Sequence, residues 1–99
     1  MLDLERAVEL RPKHAHSRAI LARVRETAGD WAGAAEAYRA AIKLQPSRIN
    51  DRIRLASTLE RAGSLPEARE VLKTALRVLK EDAPIRVRVQ RALDELPPG

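Results

Sequence analysis

Apolar residues recur along the chain at intervals of three and four, the spacing that places side chains on one face of an α-helix. In one stretch Leu21, Val24 and Ala28 follow this spacing, and in another it continues as far as Val78 or Leu79. These residues are expected to be buried. The pattern predicts six helices, over about residues 2–11, 15–28, 31–44, 49–62, 65–80 and 84–96, followed by a tail at 97–99.

Residues that start or stop helices define the boundaries between these stretches. Gly29 and Gly63 each follow a helix, where the chain often takes a positive φ that glycine adopts without strain. Asp30 is suited to cap the next helix. The run Ser64–Glu67 matches a capping box with a proline in the first turn. Pro46 closes the preceding stretch because proline cannot donate to the helix ladder.

The stretch 15–46 recurs after 34 residues, and a fixed period of this length indicates a repeat architecture. The recurring pairs are Leu21 and Leu55, Ala22 and Ala56, Gly29 and Gly63, Ala34 and Ala68, and Ala41 and Ala75. Shifted back by the same distance, Pro46 falls on Pro12, so residues 2–11 form the second half of a preceding unit. Residues 84–96 form the first half of another unit. Gln90 takes the place of the two alanines there, as is typical of a terminal capping helix.

Length and composition limit the classes of protein to consider. The 99 residues make one domain, predicted over 1–96, in which stacked units bury their faces on one another. The net charge of +5 bears on acidic partners and not on the fold. The chain has no cysteine, no run of eighteen apolar residues and no signal-type apolar core, which favours a cytoplasmic location. The half unit at 2–11 also fits a fragment of a longer protein.

Seven residues of the stretch 15–46 resemble, in order and period, the tetratricopeptide repeat: Leu21, Ala22, Gly29, Ala34, Tyr38, Ala41 and Pro46. The second copy has Lys80 in place of the closing proline, and Arg25 stands where the family prefers a large apolar residue. The resemblance implies an all-α, right-handed solenoid of antiparallel helix pairs, with a half repeat, two full repeats and a capping helix. It also implies a concave groove that binds peptides or partner proteins.

In this family the first helix of each pair lines the groove. The candidate groove residues are therefore His16, Arg23, Thr27, Asn50, Ile53, Arg54, Ser57, Arg61, Arg88 and Arg91, with Ala19, Glu26 and Val87 on the same helices. The planar fork of arginine takes a carboxylate through two hydrogen bonds, which predicts an acidic partner segment. An ordinary solvated face is the alternative, because arginine is abundant elsewhere, as at Arg39, Arg69 and Arg77. The two-carboxylate clamp of some family members is not reproduced, since Ala19 and Arg23 occupy its lysine and asparagine positions.

The sequence offers no candidate for catalysis, a cofactor or a metal. His14 and His16 are two residues apart, which does not place both on one helix face, and no cysteine joins them. The sequence contains no Gly-rich phosphate loop and no nucleophile motif. Nucleic-acid binding fits the charge, but the only aromatic side chains for stacking bases are Trp31 and Tyr38, at positions that the repeat pattern buries.

These features predict a protein-interaction or assembly scaffold that binds a partner segment in the groove and catalyses nothing itself. Two alternatives remain. The apolar residues Leu4 and Val8 would lack a cover, which invites homo-oligomerisation. The chain could also be a non-catalytic arm of a larger enzyme. The sequence does not identify the partner or the pathway.

Overall fold

The computed structural model describes residues 14–97, and this part of the chain is entirely α-helical apart from its turns. The helices are α1 (Ala15–Thr27), α2 (Trp31–Leu44), α3 (Ile49–Arg61), α4 (Leu65–Val78) and α5 (Ile85–Glu95). The predicted all-α class is confirmed. The helix predicted over 2–11 lies outside the described residues, and so does the half repeat assigned to it.

The turns inside both helix pairs follow the same plan. Gly29 and Gly63 have φ values of +79° and +86°, as the sequence predicts. A side chain at either position would be strained there, because L-residues rarely adopt this conformation. Asp30 caps α2 by accepting a hydrogen bond from the Gly33 N–H at 3.0 Å. The two glycines therefore reverse the chain so that each pair folds back on itself.

The predicted capping box at the start of α4 is wrong. Ser64 is the N-cap residue, but its side chain makes no capping hydrogen bond. Its backbone N–H already donates to the Leu59 carbonyl at 2.8 Å, so Glu67 has no free donor to reach. The Glu67 carboxylate instead forms an ion pair with Arg39 of α2. Pro66 does lie in the first turn, as predicted.

The helices form two layers. Each helix packs against the next one in the chain, and α3 also contacts α5. Between first helices, Thr58 of α3 contacts Glu26 of α1, and Arg88 of α5 contacts Asn50 of α3. Between second helices, Arg39 of α2 pairs with Glu67 of α4. One layer therefore contains α1, α3 and α5, and the other contains α2 and α4.

The core between the layers repeats with the sequence. Tyr38 of α2 and Leu72 of α4, which lie one repeat period apart, are both fully buried. Alanines with 5% exposure or less allow the helix backbones to approach closely, at Ala22, Ala34, Ala35, Ala41, Ala56, Ala68 and Ala75. Gln90, at the position of Ala22 and Ala56, is exposed.

Several residues predicted to be buried are not. Val24 is 46% exposed, whereas Thr58, its equivalent in the next repeat, is buried because Glu26 of the neighbouring first helix covers it. No described helix lies on that side of α1. Ala28 is exposed because it follows the last turn of α1. At the end of α4, Val78 is 58% exposed and Leu79 packs against the core.

Two further expectations differ from the structure. The helix predicted to reach residue 80 ends at Val78, because Leu79 is extended, with φ −84° and ψ 144°. Ala19, expected in the groove, is 5% exposed and packs with Ala15 and Ala41. Ala19 is therefore part of the α1–α2 contact.

Candidate functional site

The exposed residues of α1, α3 and α5 are together called the first-helix face. Nine of the ten predicted groove residues are exposed on these helices: His16, Arg23, Thr27, Asn50, Arg54, Ser57, Arg61, Arg88 and Arg91. Ile53 is half-buried and packs against the core. The structure therefore makes these side chains accessible, and their role in binding stays a prediction.

Arg88 and Asn50 meet where α3 and α5 lie side by side. The Arg88 Nη1 donates a hydrogen bond to the Asn50 Oδ1 at 3.0 Å, although the two residues are far apart in the sequence. Both side chains are exposed. Because Arg88 uses only the oxygen of Asn50, the N–H donors of that amide remain available to a ligand.

Glu26, Tyr38, Arg54 and Thr58 form a polar cluster where α1, α2 and α3 meet. The Thr58 Oγ1 lies 2.5 Å from the Glu26 Oε1 and 2.8 Å from the Arg54 carbonyl oxygen. A hydroxyl has one proton, so Thr58 donates to one of these acceptors at a time. Thr58 is buried, Glu26 is half-buried and Arg54 is exposed, so the cluster extends from the core to the first-helix face.

The hydroxyl of Tyr38 is the buried end of this cluster. It is shielded from solvent and has no hydrogen-bond partner in the part of the chain that the structure describes. Glu26 and Arg54 lie near enough to act on it through their charges and through weak hydrogen bonding, but neither contact has the geometry of an ordinary hydrogen bond. Burial, and after it the charge of Glu26, raises the pKa of Tyr38 from 10.0 to about 12, and Arg54 opposes the rise. Tyr38 is thus a neutral phenol at neutral pH, and its hydroxyl has no hydrogen bond of ordinary geometry within 14–97.

We expect Tyr38→Phe to raise the free energy of unfolding at neutral pH by about 1 kcal/mol. A buried polar group without a partner destabilises the folded state by roughly 1–3 kcal/mol, and phenylalanine keeps the ring while removing that group. Urea unfolding followed by circular dichroism measures the difference. A loss of stability of about 1 kcal/mol would mean that the hydroxyl is well hydrogen-bonded in solution.

The same variant isolates a pH effect. The pKa of Tyr38 is raised on folding, so above pH 10.0 the unfolded chain loses its phenol proton first, and stability falls until the pH passes about 12. The titration of Tyr38 should therefore lower the free energy of unfolding by about 1 kcal/mol between about pH 9 and about pH 11. Any loss of stability caused by deprotonation of lysines would be added to this. The Tyr38→Phe variant should not show the loss of stability that Tyr38 causes. Equal falls in both proteins would contradict the raised pKa.

Trp31 and Arg61 connect the two helix pairs at the edge of the first-helix face. The Cζ of Arg61 lies 5.1 Å from the centroid of the Trp31 ring, a cation–π contact. Trp31 is half-buried, so the expectation that the repeat pattern buries it is only partly met. Because Arg61 lies over the ring of Trp31, this ring is poorly placed to stack a base.

The remaining candidates on α1 do not converge on one point. The Thr27 Oγ1 donates to the Arg23 carbonyl at 3.0 Å, within its own helix. His16 lies edge-on to His14, with ring centroids 6.3 Å apart, and the His14 Nδ1 accepts from the Ser17 N–H at 3.3 Å. Within residues 14–97 no three histidine or acidic side chains are grouped so that they could hold a metal ion.

Arginines on the first-helix face differ in their partners from those elsewhere. Arg23, Arg54, Arg61, Arg88 and Arg91 form no ion pair with any carboxylate in the described residues. Three arginines off this face do pair with carboxylates: Arg39, Arg48 and Arg77. Four others donate to main-chain carbonyl groups: Arg25, Arg52, Arg69 and Arg86. The first-helix face therefore carries net positive charge, with five unpaired arginines against the exposed acidic residues Asp94 and Glu95 in the described part of the chain.

The polar cluster was missed as a unit by sequence reasoning. Glu26 is a candidate from its helix position, but Thr58 and Tyr38 are not. One signal was present: Tyr38 occupies the position of Leu72 in the second repeat, so its hydroxyl adds a polar group that the fold does not require. Sequence spacing alone could not show that this hydroxyl lies beside Glu26 and Arg54.

Comparisons with known proteins bear on the family. Among the described helices none is both long and apolar enough to cross a membrane. A family model for the tetratricopeptide repeat matches residues 26–93, which is most of the chain. A search of curated proteins finds no match. Because the family model matches most of the chain and its two helix pairs repeat in register, the chain belongs to the tetratricopeptide-repeat family.

Proposed function

We propose that this chain is a protein-interaction scaffold that binds an acidic segment of a partner protein along the first-helix face. Tetratricopeptide repeats generally mediate protein–protein interaction, and the family is typically non-catalytic. The observation that carries the proposal is the set of five arginines on this face without carboxylate partners among the described residues. A ligand carboxylate would supply the partner that this part of the chain does not.

The arrangement of these arginines suits an extended segment. Arg23 lies on α1, Arg54 and Arg61 on α3, and Arg88 and Arg91 on α5, so positive charge continues across all three first helices. Charge of one sign along a surface attracts an oppositely charged segment and raises its association rate.

Close contacts would then fix the segment. Each guanidinium can take a carboxylate through two parallel hydrogen bonds. The exposed amide of Asn50 and the hydroxyl of Ser57 can bond to the main chain of the ligand. Of the five acidic residues on the described first helices, Asp51 and Glu26 are held by other side chains, and Asp94 and Glu95 are exposed at the end of α5. Asp51 is buried and paired with Arg48, and one Glu26 oxygen is bonded by Thr58.

The proposal is tested with peptides selected on the wild-type chain from a displayed library of random short peptides. We expect the selected peptides to be enriched in Asp and Glu. The double variant Arg54→Glu, Arg88→Glu should bind them at least about tenfold more weakly, because it replaces attraction by repulsion at two points. Isothermal titration calorimetry measures the affinity.

The matched control is Lys43→Glu, Lys73→Glu, which changes the net charge equally at exposed positions of α2 and α4. It should change the affinity by less than about twofold at physiological salt, where screening limits distant charges. Equal losses in both double variants would show a non-specific charge effect. Binding of single-stranded nucleic acid with a steep salt dependence, and no selected acidic peptide, would favour the nucleic-acid alternative.

A further inference from the structure

Each end of the described helix stack leaves an apolar side chain of a first helix exposed. At one end Val24 of α1 is 46% exposed, and at the other Val87 of α5 is 64% exposed. The equivalent positions inside the stack are covered, since Thr58 is buried and Ile53 packs against the core. Both ends therefore present surface that the repeat covers wherever a neighbouring helix is described.

Val87 and Gln90 line a groove of about 540 Å³ between α4 and α5. The equivalent of Val87 in the first unit is Ala19, which packs with Ala41 of the second helix α2. The equivalent in the second unit is Ile53, which packs against the cluster that contains residues of α4. A second helix therefore fills this place in both units, and no described helix fills it beside α5.

The sequence contains one more segment with the pattern of a second helix. It predicts a helix over residues 2–11, which lie outside the described part of the chain. Leu4 and Ala7 fall two periods before Leu72 and Ala75, and those two residues of α4 have no exposed surface. The apolar positions through which α4 packs into the core thus recur in residues 2–11.

We propose that copies of this chain associate head to tail, with residues 2–11 of one copy bound in the groove beside Val87 of the next copy. The α5 helix of that copy then lies against α1 of the first, as α1 lies against α3 within one chain. The bound segment covers Val87, and α5 covers Val24. Because the two contacting surfaces differ, the contact is heterologous and continues the helix stack from copy to copy.

Gln90 makes this contact weaker than its counterparts within the chain. The equivalent residues Ala22 and Ala56 are at most 2% exposed and allow the second helix to approach closely. Gln90 has a longer side chain, which donates a hydrogen bond to Asp94, and covering its amide costs hydration. The contact therefore forms at high concentration, and the dilute chain is a monomer.

Paired cysteine variants test the geometry, because the chain has no cysteine of its own. Ala7 and Val87 are equivalent by the period to Ala41 and Ala19, which pack together within one chain. Ala7→Cys mixed with Val87→Cys at about 1 mM, with oxidised glutathione, should give a disulfide-linked dimer, because the contact brings these positions within reach. Either variant alone should give at least about tenfold less.

The matched control replaces Ala32, an exposed alanine of α2 that does not line the groove. Ala7→Cys mixed with Ala32→Cys should form no more disulfide-linked dimer than either variant does alone.

Sedimentation equilibrium of the full chain supplies a second readout. The average mass should rise with concentration without levelling off at the dimer, because each copy has one groove and one segment 2–11. Val87→Asp should weaken association at least about tenfold, since it places a charge in the groove. Its fold should be intact, because Val87 is exposed. Gln90→Ala should strengthen association, because it restores the alanine of the two complete units.

A mixed disulfide, together with weaker association of Val87→Asp, supports the head-to-tail contact. A wild-type chain that is still a monomer at about 1 mM would overturn it. So would a dimer of Val87→Cys alone that forms as readily as the mixed one, or association that Val87→Asp leaves unchanged. The binding of acidic peptides is measured on the dilute chain, so its result is independent of this one.

Discussion

Replacing Ala56 with glutamine should lower the free energy of unfolding by about 3 kcal/mol, while replacing Gln90 with alanine should change it by less than about 0.5 kcal/mol. The two positions are equivalent in the repeat, one period apart. Ala56 is 2% exposed and lies in the core cluster with Ala68 and Leu72 of α4, whereas Gln90 is exposed. The pair of substitutions therefore compares one residue type in two environments.

The size of the first effect follows from two causes. A glutamine at position 56 would be forced between closely packed helices, and overpacking of this kind costs about 1–3 kcal/mol. Its amide would also lose water without gaining a described partner, which costs about 1–3 kcal/mol more. At position 90, alanine removes only the hydrogen bond from the Gln90 Nε2 to the Asp94 Oδ1 at 2.9 Å, on the surface of one helix.

Urea unfolding followed by circular dichroism measures both variants. Similar small effects at the two positions would contradict the close packing of Ala56. A large loss for Gln90→Ala would mean that α5 is covered on this side in solution.

Replacing Leu72 with alanine should lower the free energy of unfolding by about 3 kcal/mol, within the range of roughly 2–5 kcal/mol found for large-to-small changes in cores. Leu72 has no exposed surface and lies in the cluster that contains residues of α3 and α5. Deleting its side chain leaves a cavity that the neighbouring helices fill only in part. The stability of the second repeat and of its contact with α5 should fall together.

Val78→Ala is the matched control, because it also shortens an aliphatic side chain of α4. Val78 is 58% exposed, so its loss should cost less than about 0.5 kcal/mol. The comparison is made by thermal and urea unfolding of both variants. Comparable losses would show that the exposed end of α4 is buried in solution, for instance by self-association.

The repeat period predicts the fold of the described residues well. Positions one period apart are for the most part buried alike, and α2 runs over the predicted 31–44. Single residues decide the details that the period leaves open. Thr58 is buried and Val24 is not, although the two are equivalent, because only Thr58 has a described neighbouring first helix to cover it.

The candidate site is predicted in part. Periodicity identifies exposed residues on the first helices, since exposure repeats with the helix turn. Contacts between side chains of different helices do not repeat with the period. Arg88 donates a hydrogen bond to Asn50, and Arg61 makes a cation–π contact with Trp31. Which arginines lack a carboxylate depends on side-chain positions across helices, and no sequence spacing contains that information.

Position 56 has alanine, and the equivalent position 90 has glutamine. This difference bears on how the repeat array can change in length. A further repeat unit placed ahead of α5 would present a helix with alanine at this position, as the two present units do. The same unit placed after α5 would have to pack against an exposed amide. Gene duplication or engineering should therefore lengthen this protein more readily from within than by addition beyond α5.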